Sequence, residues 1–350
     1  MTTLTFPQQF QGFFHRTKSQ YLPPLLMARA TLNDISIPDT FEPFYAYAVK
    51  ENPQPSFMLL PLMYLGIADA YTGINERHHR YLPYIMLMME LCAIMDDTVD
   101  RTPMRSSRPT FTQRFGEESA TPFSVTLLSI ATHETSRHEP QLLPALHQLV
   151  SELGSRELWE MHNRYPHHTL FNQWLDNRYA QVSPAIEYVL NGALSMADGP
   201  QLSPAVVDAF ARIFQDVDDV INIIEARENE GENRDLDLGI VTYPLIAACE
   251  AVPGLDRAIT QFWQPYHAIA KLPRAQFLAE LPGVIAAQQQ ASDHIYECFH
   301  EYGIPATIRH IEEDCAICIE NTPEGPLRTI IEEFVLTFAA RIPQLHVRTV

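Results

Sequence analysis

Residues 84–100 read YIMLMMELCAIMDDTVD, an almost wholly apolar run that ends in three aspartates. A run of this kind predicts a buried helix. Because residues four apart lie on one face of a helix, the carboxylates of Asp96 and Asp100 are expected to align. A carboxylate is costly to bury unless it is paired or binds a metal. The stretch therefore predicts a core helix whose acidic end binds a cation.

A single acidic cluster is more often a solvated helix face than a site, but this chain has a second one. Residues 218–222 read DDVIN and follow another apolar helical pattern. Asp218 and Asn222 again share a helix face. Two such faces pointing at each other would form an oxygen-rich cage for Mg²⁺, which proteins hold with a few carboxylates, water and substrate phosphates. The candidate catalytic residues are Asp96, Asp97, Asp100, Asp218, Asp219 and Asn222, and the candidate metal ligands among them are Asp96, Asp100, Asp218 and Asn222.

The flanks of both clusters follow a family pattern. RTPMRSSRPT (residues 101–110) follows the first cluster, FQ (residues 214–215) precedes the second, and DLDLGIVTYP (residues 235–244) comes after it. From about Pro53 to Pro244 the chain resembles the trans-isoprenyl diphosphate synthase superfamily. In that superfamily an arginine pair and a proline follow the first DDxxD motif. An FQ-led aspartate motif comes later, followed by a D-L-x-x-G-K-x-T-x-P loop.

The resemblance and the helical periodicity predict an all-α fold. We expect one large helical bundle of the isoprenyl diphosphate synthase type, with a central cavity, over residues 41–350. Residues 1–40 are predicted to form an N-terminal arm with short helices. Prolines bound most helical segments, and strand signals are sparse. The polar stretch 227–237 is predicted to form a loop over the metal site.

The departures from the family pattern concern cations. Synthases that add isopentenyl units bind a second diphosphate on basic residues, and at the matching positions this chain offers only Lys50 and Arg105. Ser106 replaces the second arginine, Val182-Ser183 stands where a lysine-threonine is usual, and Ile240 replaces the loop lysine. A trianionic group needs several cationic or N–H donors to replace its water. The sequence therefore favours an enzyme that ionises one allylic diphosphate and adds no isopentenyl unit.

Such an enzyme would be a class I terpene cyclase, and the chain resembles fungal sesquiterpene cyclases of the α-humulene synthase type. The resemblance implies a lyase of isoprenoid biosynthesis that cyclises farnesyl diphosphate, with three Mg²⁺ ions when substrate is bound. Two alternatives stay open. One is a prenyl diphosphate synthase that elongates chains, and the other is a non-catalytic subunit of a heteromeric prenyl synthase. The near-complete aspartate motifs argue against the non-catalytic subunit.

Three arginines are candidates for binding the substrate diphosphate. Arg105 matches the first arginine of the family pair, and Arg178 lies on the helix where class I cyclases often carry a diphosphate-sensing arginine. Arg234 precedes the aspartate of the loop after the second cluster. Surface ion pairs are the competing interpretation for all three residues.

Composition limits the partners and the compartment. A net charge of −19 over 350 residues argues against nucleic acids and anionic membrane surfaces as partners. We expect no signal peptide and no membrane span, because no window supplies about 20 consecutive apolar residues. The five cysteines show no zinc-site spacing and are predicted to be reduced, which favours the cytoplasm. The expected partner is a small prenyl diphosphate, and the sequence leaves a homodimer open.

Overall fold

The computed structural model describes residues 11–52, 59–105, 108–228 and 235–342, and helices dominate these ranges. The first helices are α1 (Gln11–Asn33), α2 (Glu42–Tyr45), α3 (Leu59–Tyr71), α4 (Glu76–Val99), α5 (Phe111–Phe115), α6 (Glu117–His138), α7 (Leu143–Asn163) and α8 (Phe171–Met196). The remaining helices are α9 (Pro204–Glu228), α10 (Asp235–Leu238), α11 (Tyr243–Ala251), α12 (Leu255–Ala270), α13 (Arg274–Cys298), α14 (Ile304–Glu320) and α15 (Pro326–Ala339). The predicted all-α class is confirmed.

Shorter elements complete the secondary structure of the described residues. Two π-helical segments, Ala46–Lys50 and Phe299–Gly303, extend α2 and join α13 to α14. Single 3₁₀ turns precede α7 and α8, at Pro140–Leu142 and His168–Leu170. Strands β1 (Met104–Arg105) and β2 (Arg108–Pro109) pair antiparallel, with Arg105 opposite Arg108.

The chain forms two compact units. Within the described residues, unit 1 takes those of Met1–Gly154, Pro184–Pro204 and Thr322–Thr337, and unit 2 takes those of Ser155–Ser183, Ala205–Asn321 and Phe338–Val350. The domain boundary at residue 40 stays a prediction. In the described part of the predicted arm, α1 spans 23 residues, so it is longer than the short helices expected there.

Unit 1 is built around α4. The side chain of Asn75 caps the start of α4 by accepting hydrogen bonds from the backbone N–H groups of Arg77 and His78. Apolar residues lie on every side of the helix from Tyr81 to Ile94 and are buried. Helices α1, α3, α5 and α6 pack against it. A helix that is apolar all round must be buried in this way, as the sequence predicted.

Unit 2 contains the second acidic cluster, which lies on α9, and the helices α10 to α14 that follow it. Helix α11 packs against α14 and the π-helical segment before α14, and α12 packs against α13. A Cβ atom at Gly303 would lie 2.4 Å from the carbonyl oxygen of Pro244, so glycine permits this close approach. The indole N–H of Trp263 donates to the carbonyl of Leu236 at 2.6 Å and thereby fixes α10 on α12.

Within the described part of the chain, we find no helix whose length and hydropathy suit a membrane span.

The five cysteines form no disulfide, and four of them are buried.

Candidate active site

The first acidic cluster lies where α4 ends. The helix stops at Val99, and Asp100 is its C-cap with a backbone N–H bonded to the carbonyl of Asp96 at 2.8 Å. Arg101 then adopts a left-handed conformation with φ of 55°, which reverses the chain. The carbonyl end of a helix carries partial negative charge, so carboxylates there increase the need for a cation.

The three aspartates of this cluster differ in exposure. Asp97 is buried, whereas the Asp96 side chain is 38% exposed and Asp100 is half-buried. The predicted alignment of Asp96 and Asp100 on one turn is present in the backbone hydrogen bond that joins them. Asp96 and Asp100 are therefore accessible to a cation, whereas the carboxylate of Asp97 is enclosed by the protein.

Arg105 neutralises this cluster. The β1–β2 pair folds back after the reversal at Arg101, so the Arg105 Nη2 atom lies 2.6 Å from Asp96 Oδ2 and 2.8 Å from Asp97 Oδ1. Its Nε–H also donates to Asp97 Oδ1 at 2.9 Å. Burial lowers the pKa of Arg105, but the charges of Asp96 and Asp97 outweigh burial and raise it above its ordinary value. The structure places Arg105 beside the metal-ligand candidates, and its contact with a diphosphate stays a prediction.

A group of cations in unit 1 surrounds the π-helical segment Ala46–Lys50. The Lys50 ammonium lies 3.0 Å from a carboxylate oxygen of Glu42. Arg29 of α1 donates to the carbonyl of Lys50 at 2.8 Å, and Arg108 of β2 donates to the carbonyl of Tyr47 at 2.8 Å. The Arg108 guanidinium also stacks 3.6 Å above the centre of the Tyr47 ring.

Arg29 and Arg108 were missed by reading the sequence position by position, because they lie far from Lys50 along the chain. Arg29 is only 5% exposed, and its Nη1 atom has no hydrogen-bond partner among the described residues. Burial and the positive charge of Arg108 both lower its pKa. Arg29 and Arg108 therefore add positive charge near this segment, and the carboxylates of Glu90 and Glu42 oppose it at Arg29 and Lys50.

Helix α9 presents the second cluster on two opposite faces. Asp218 and Asn222 are half-buried, and the Asn222 amide donates to Asp218 Oδ2 at 3.5 Å. Asp216 and Asp219 are 0% and 1% exposed. Because residues two apart on a helix point about 200° apart, Asp216 faces the core when Asp218 faces outward. Asp218 and Asn222 share the half-buried face of α9, and their role as metal ligands stays a prediction.

Arg178 neutralises the buried face of α9. Its Nη2 atom lies 2.7 Å from Asp219 Oδ1 and 3.4 Å from a carboxylate oxygen of Asp235, the first residue of α10. Burial lowers the pKa of Arg178, but Asp219 and Asp235 raise it well above the ordinary value. Burial raises the pKa of Asp219 to about 7 although Arg178 opposes the shift. The structure places Arg178 beside Asp219, and its contact with a diphosphate stays a prediction.

Asp219 also lines a small cavity within unit 2. The cavity has a volume of about 10 Å³, which is close to the room that one water molecule needs. Asp219 Oδ2 has no hydrogen-bond partner among the described residues. The other lining residues include Asp235, Thr242 and Tyr296.

Asp216 is held by two further helices of unit 2. Its Oδ1 accepts from the Tyr179 hydroxyl of α8 at 2.7 Å, and its Oδ2 lies 2.7 Å from His310 Nδ1 of α14. Burial raises the pKa of Asp216, and His310 and Tyr179 partly offset this. Burial lowers the pKa of His310, but Asp216 and Asp314 outweigh it, so the net pKa of His310 is raised. The sequence offered no signal for this contact, since its partners lie 37 and 94 residues from Asp216.

Most of the loop predicted over residues 227–237 lies outside the described residues. Helix α9 continues to Glu228, and α10 begins at Asp235. Tyr165 fixes the turn after α10, because its backbone N–H bonds to the carbonyl of Gly239 and its hydroxyl to that of Asp237. Arg234, the third predicted diphosphate ligand, lies outside the described residues.

Comparisons with known proteins identify the family. The family model described as polyprenyl synthetase matches residues 52–268. An all-trans-nonaprenyl-diphosphate synthase (geranyl-diphosphate specific) of Rhodobacter capsulatus is 25% identical over 204 residues, which are 56% of this chain and 63% of that protein. The all trans-polyprenyl-diphosphate synthase PDSS1 of Homo sapiens is 20% identical over 240 residues, which are 65% and 57% of the two chains. This chain thus spans less than two thirds of each curated relative.

A solved structure shows the same fold over nearly the whole chain. It is a decaprenyl diphosphate synthase from Rhodobacter capsulatus, with a TM-score of 0.70 and 15% identity. The alignment covers 93% of this chain and 98% of that one. The fold is therefore the all-α fold of the isoprenyl diphosphate synthases, as predicted.

The prediction of a sesquiterpene cyclase, and with it of a carbon–oxygen lyase, is wrong. The proteins that the chain matches are prenyl diphosphate synthases, which was the stated alternative. The prediction rested on the lack of cations at matching sequence positions, whereas in the folded chain Arg29 bonds to the carbonyl of Lys50 and Arg108 to that of Tyr47. The matched residues 52–268 include both acidic clusters and make up more than half of the chain, which therefore belongs to the polyprenyl synthetase family.

Proposed function

We propose that the protein is a prenyl diphosphate synthase that joins an allylic prenyl diphosphate to isopentenyl diphosphate in a Mg²⁺-dependent reaction. The family match over residues 52–268 carries the proposal, because it includes both acidic clusters in order. The names of the relatives support chain elongation. The arrangement of carboxylates and cations in each unit fits this chemistry.

The oxygen donors suit Mg²⁺. Among the described residues, no three acidic, histidine or cysteine side chains converge on a ready-made metal site. Mg²⁺ does not need one, because it keeps several waters and is commonly held by one or two carboxylates and the phosphates of a substrate. Asp96 and Asp100 would supply oxygens in the first cluster, and Asp218 and Asn222 in the second. When bound, Mg²⁺ supplies Lewis-acid stabilisation of the departing diphosphate.

The buried aspartates have a different role in the proposed reaction. Asp97 and Asp219 each bind an arginine, so Arg105 lies next to the accessible Asp96 and Arg178 lies on the buried face of α9 without needing a substrate to hold them. A preorganised guanidinium costs little reorganisation when negative charge develops on a leaving group. We assign Arg105 to neutralising the diphosphate of the allylic substrate. Arg178 keeps Asp219 and α10 in place.

The cations around Ala46–Lys50 are proposed to bind the diphosphate of isopentenyl diphosphate. Lys50 and Arg108 are partly exposed and would contact the anion. Arg29 is buried and would act by adding positive potential and by holding the carbonyl of Lys50. A charged group is bound well only where several such donors replace its water.

The test is incubation of purified protein with Mg²⁺ and C10, C15 or C20 allylic diphosphates, each with and without isopentenyl diphosphate. Products are dephosphorylated and identified by mass spectrometry. We expect a longer prenyl diphosphate only when both substrates are present. A cyclic hydrocarbon formed without isopentenyl diphosphate, or no turnover of any pair, would contradict the proposal.

A matched pair of variants tests the second anion site. Arg108→Gln should raise KM for isopentenyl diphosphate about tenfold, because one charge-assisted contact to an anion contributes about 1.5–3 kcal/mol. KM for the allylic substrate should change little. Arg114→Gln removes an exposed arginine of α5 and is the control. Equal effects of the two variants would remove Arg108 from the site.

A further inference from the structure

A two-rung charge ladder joins α9 to α14 within unit 2. Arg212 forms a bidentate ion pair with Asp314, with contacts of 2.6 Å and 3.0 Å. One helical turn further along α9, Asp216 pairs with His310, which lies one turn back along α14. Each helix thus presents one cation and one anion, and the order of charges allows one register between them.

His310 is also fixed from the other sides. Its ring stacks on Tyr243 of α11, with ring centres 4.3 Å apart and planes 6° apart. His310 Nε2 lies 3.8 Å from Asp314, so both ring nitrogens face carboxylates. The histidine therefore has little freedom to turn away from Asp216.

Neighbouring residues of α8 hold the same face of α9. Tyr179 binds Asp216, and Arg178 binds Asp219 three residues later. The buried polar face of α9 is thus bonded to α14 through Arg212 and Asp216, and to α8 through Asp216 and Asp219. A helix held along its buried face from two directions cannot rotate about its own axis without breaking several of these bonds.

Rotation of α9 matters because Asp218 and Asn222 lie on its other side. A carboxylate about 5 Å from the helix axis moves by about 1.7 Å when the helix turns by about 20°. Mg²⁺ requires near-ideal geometry at about 2.0–2.1 Å, so such a displacement would prevent binding. Misplacement of a reacting group by about 1 Å can cost about a hundredfold in rate.

We propose that Asp216, His310 and Tyr179 are positioning residues that fix the rotation of α9 and thereby aim Asp218 and Asn222 at the metal-bound diphosphate. This inference rests on the proposed function. Asp216, His310 and Tyr179 lie outside the accessible acidic face of α9, and through the rotation of α9 they determine where the oxygens of that face lie. None of the three needs to touch the substrate.

The experiment compares His310→Gln, His310→Ala and Tyr179→Phe with the parent. Glutamine retains an N–H donor for Asp216, whereas alanine leaves the buried carboxylate without the partner on α14. Partners that orient metal ligands typically contribute about 10–100-fold to metal affinity or activity. We expect the Mg²⁺ concentration for half-maximal turnover to rise about tenfold or more in His310→Ala. Smaller rises are expected in His310→Gln and Tyr179→Phe.

The matched control is His78→Gln. His78 is a buried histidine whose ring nitrogen is bonded to the backbone carbonyl of Ala193, and it lies in unit 1 near the start of α4. The His78→Gln variant should have a lower melting temperature than the parent but the same Mg²⁺ requirement. If His310→Ala lowers the melting temperature and leaves the Mg²⁺ requirement at the parent value, the three residues stabilise the fold only and the inference is wrong.

A binding measurement separates this inference from the proposed function. Calorimetry with Mg²⁺ and inorganic pyrophosphate reports on the site without any condensation reaction. Weaker binding by Tyr179→Phe and His310→Gln than by His78→Gln supports positioning even if no elongated product forms. Equal binding by all three variants contradicts positioning even if the parent elongates prenyl chains.

Discussion

The two acidic clusters have the same arrangement of buried and accessible side chains, but the residues that hold each cluster in place lie at different distances along the chain. In each, one aspartate is buried against an arginine, Asp97 with Arg105 and Asp219 with Arg178, while two oxygen-bearing side chains remain accessible. The first cluster is held locally, by an arginine eight residues after Asp97. In the second, Asp219 is held by Arg178 of α8, 41 residues earlier, and the neighbouring Asp216 is held by His310 of α14. Similar accessible oxygen ligands can therefore be held in place either by residues nearby in the chain or by residues far away in the chain.

The largest expected effects concern the accessible carboxylates. Asp96→Asn and Asp218→Asn should each reduce turnover by about a hundredfold or more, since a lost metal contact removes several kcal/mol of charge stabilisation. Asp198→Asn is the control, because its side chain is 90% exposed and pairs only at the surface with Arg77. Steady-state kinetics at saturating Mg²⁺ provide the measurement. If one cluster tolerates the change and the other does not, the two clusters are not equivalent.

The next effect separates the two arginines by stability. Arg178→Met should lower the free energy of unfolding by about 3–5 kcal/mol, because it leaves Asp219 buried without its charge partner. Arg105→Met should cost less, about 1–3 kcal/mol, because its side chain is 34% exposed and water can reach Asp96. Urea unfolding monitored by circular dichroism measures both.

A double variant tests the reason for that difference. Arg178→Met combined with Asp219→Leu removes both charges and should recover most of the stability lost in Arg178→Met alone. Failure to recover it would show that Arg178 supports the fold through Asp235 rather than through Asp219.

Sequence reasoning reached the first cluster more fully than the second, and the reason is physical. Both helices were predicted from apolar runs, and the pairs Asp96/Asp100 and Asp218/Asn222 from their four-residue spacing. These signals could be read because helix periodicity involves only residues that are close together in the chain. Arg105 was also found, because it matches the first arginine that follows the first aspartate motif in the family. Asp216 drew no attention, because its partners Tyr179 and His310 meet it only in the folded protein.

The function was misassigned for a related reason. Charge recognition depends on where cations lie in space, and Arg29 reaches Lys50 from a different helix. The acidic end of α4 was predicted, but nothing in the sequence marks Arg101 as the left-handed residue that follows it.

A smaller effect concerns pH in metal-free protein. Burial raises the pKa of Asp219 from 3.8 to about 7, so between these values the folded state holds a proton that the unfolded state has released. The free energy of unfolding should therefore fall as pH rises through this window. The net pKa of His310 is raised above 6.5, so its contribution is complete below 6.5 and is lost as pH rises through the folded value.

The check on this pH dependence is a difference curve. Urea unfolding of the parent and of Asp219→Asn is measured with chelator present at a series of pH values from 4 to 8. The Asp219 contribution should appear as a loss of stability with rising pH that the variant does not show. Parallel curves would mean that Asp219 is already ionised below pH 4 in the folded protein.

The most direct test of the central claim is transfer of label from radioactive isopentenyl diphosphate. With farnesyl diphosphate and Mg²⁺, we expect label to enter a longer prenyl diphosphate. Chelator should abolish this transfer, and Asp96→Asn and Asp218→Asn should each reduce the transfer by a similar factor. Label that stays in isopentenyl diphosphate while the allylic diphosphate is consumed would contradict the claim that this protein elongates prenyl chains.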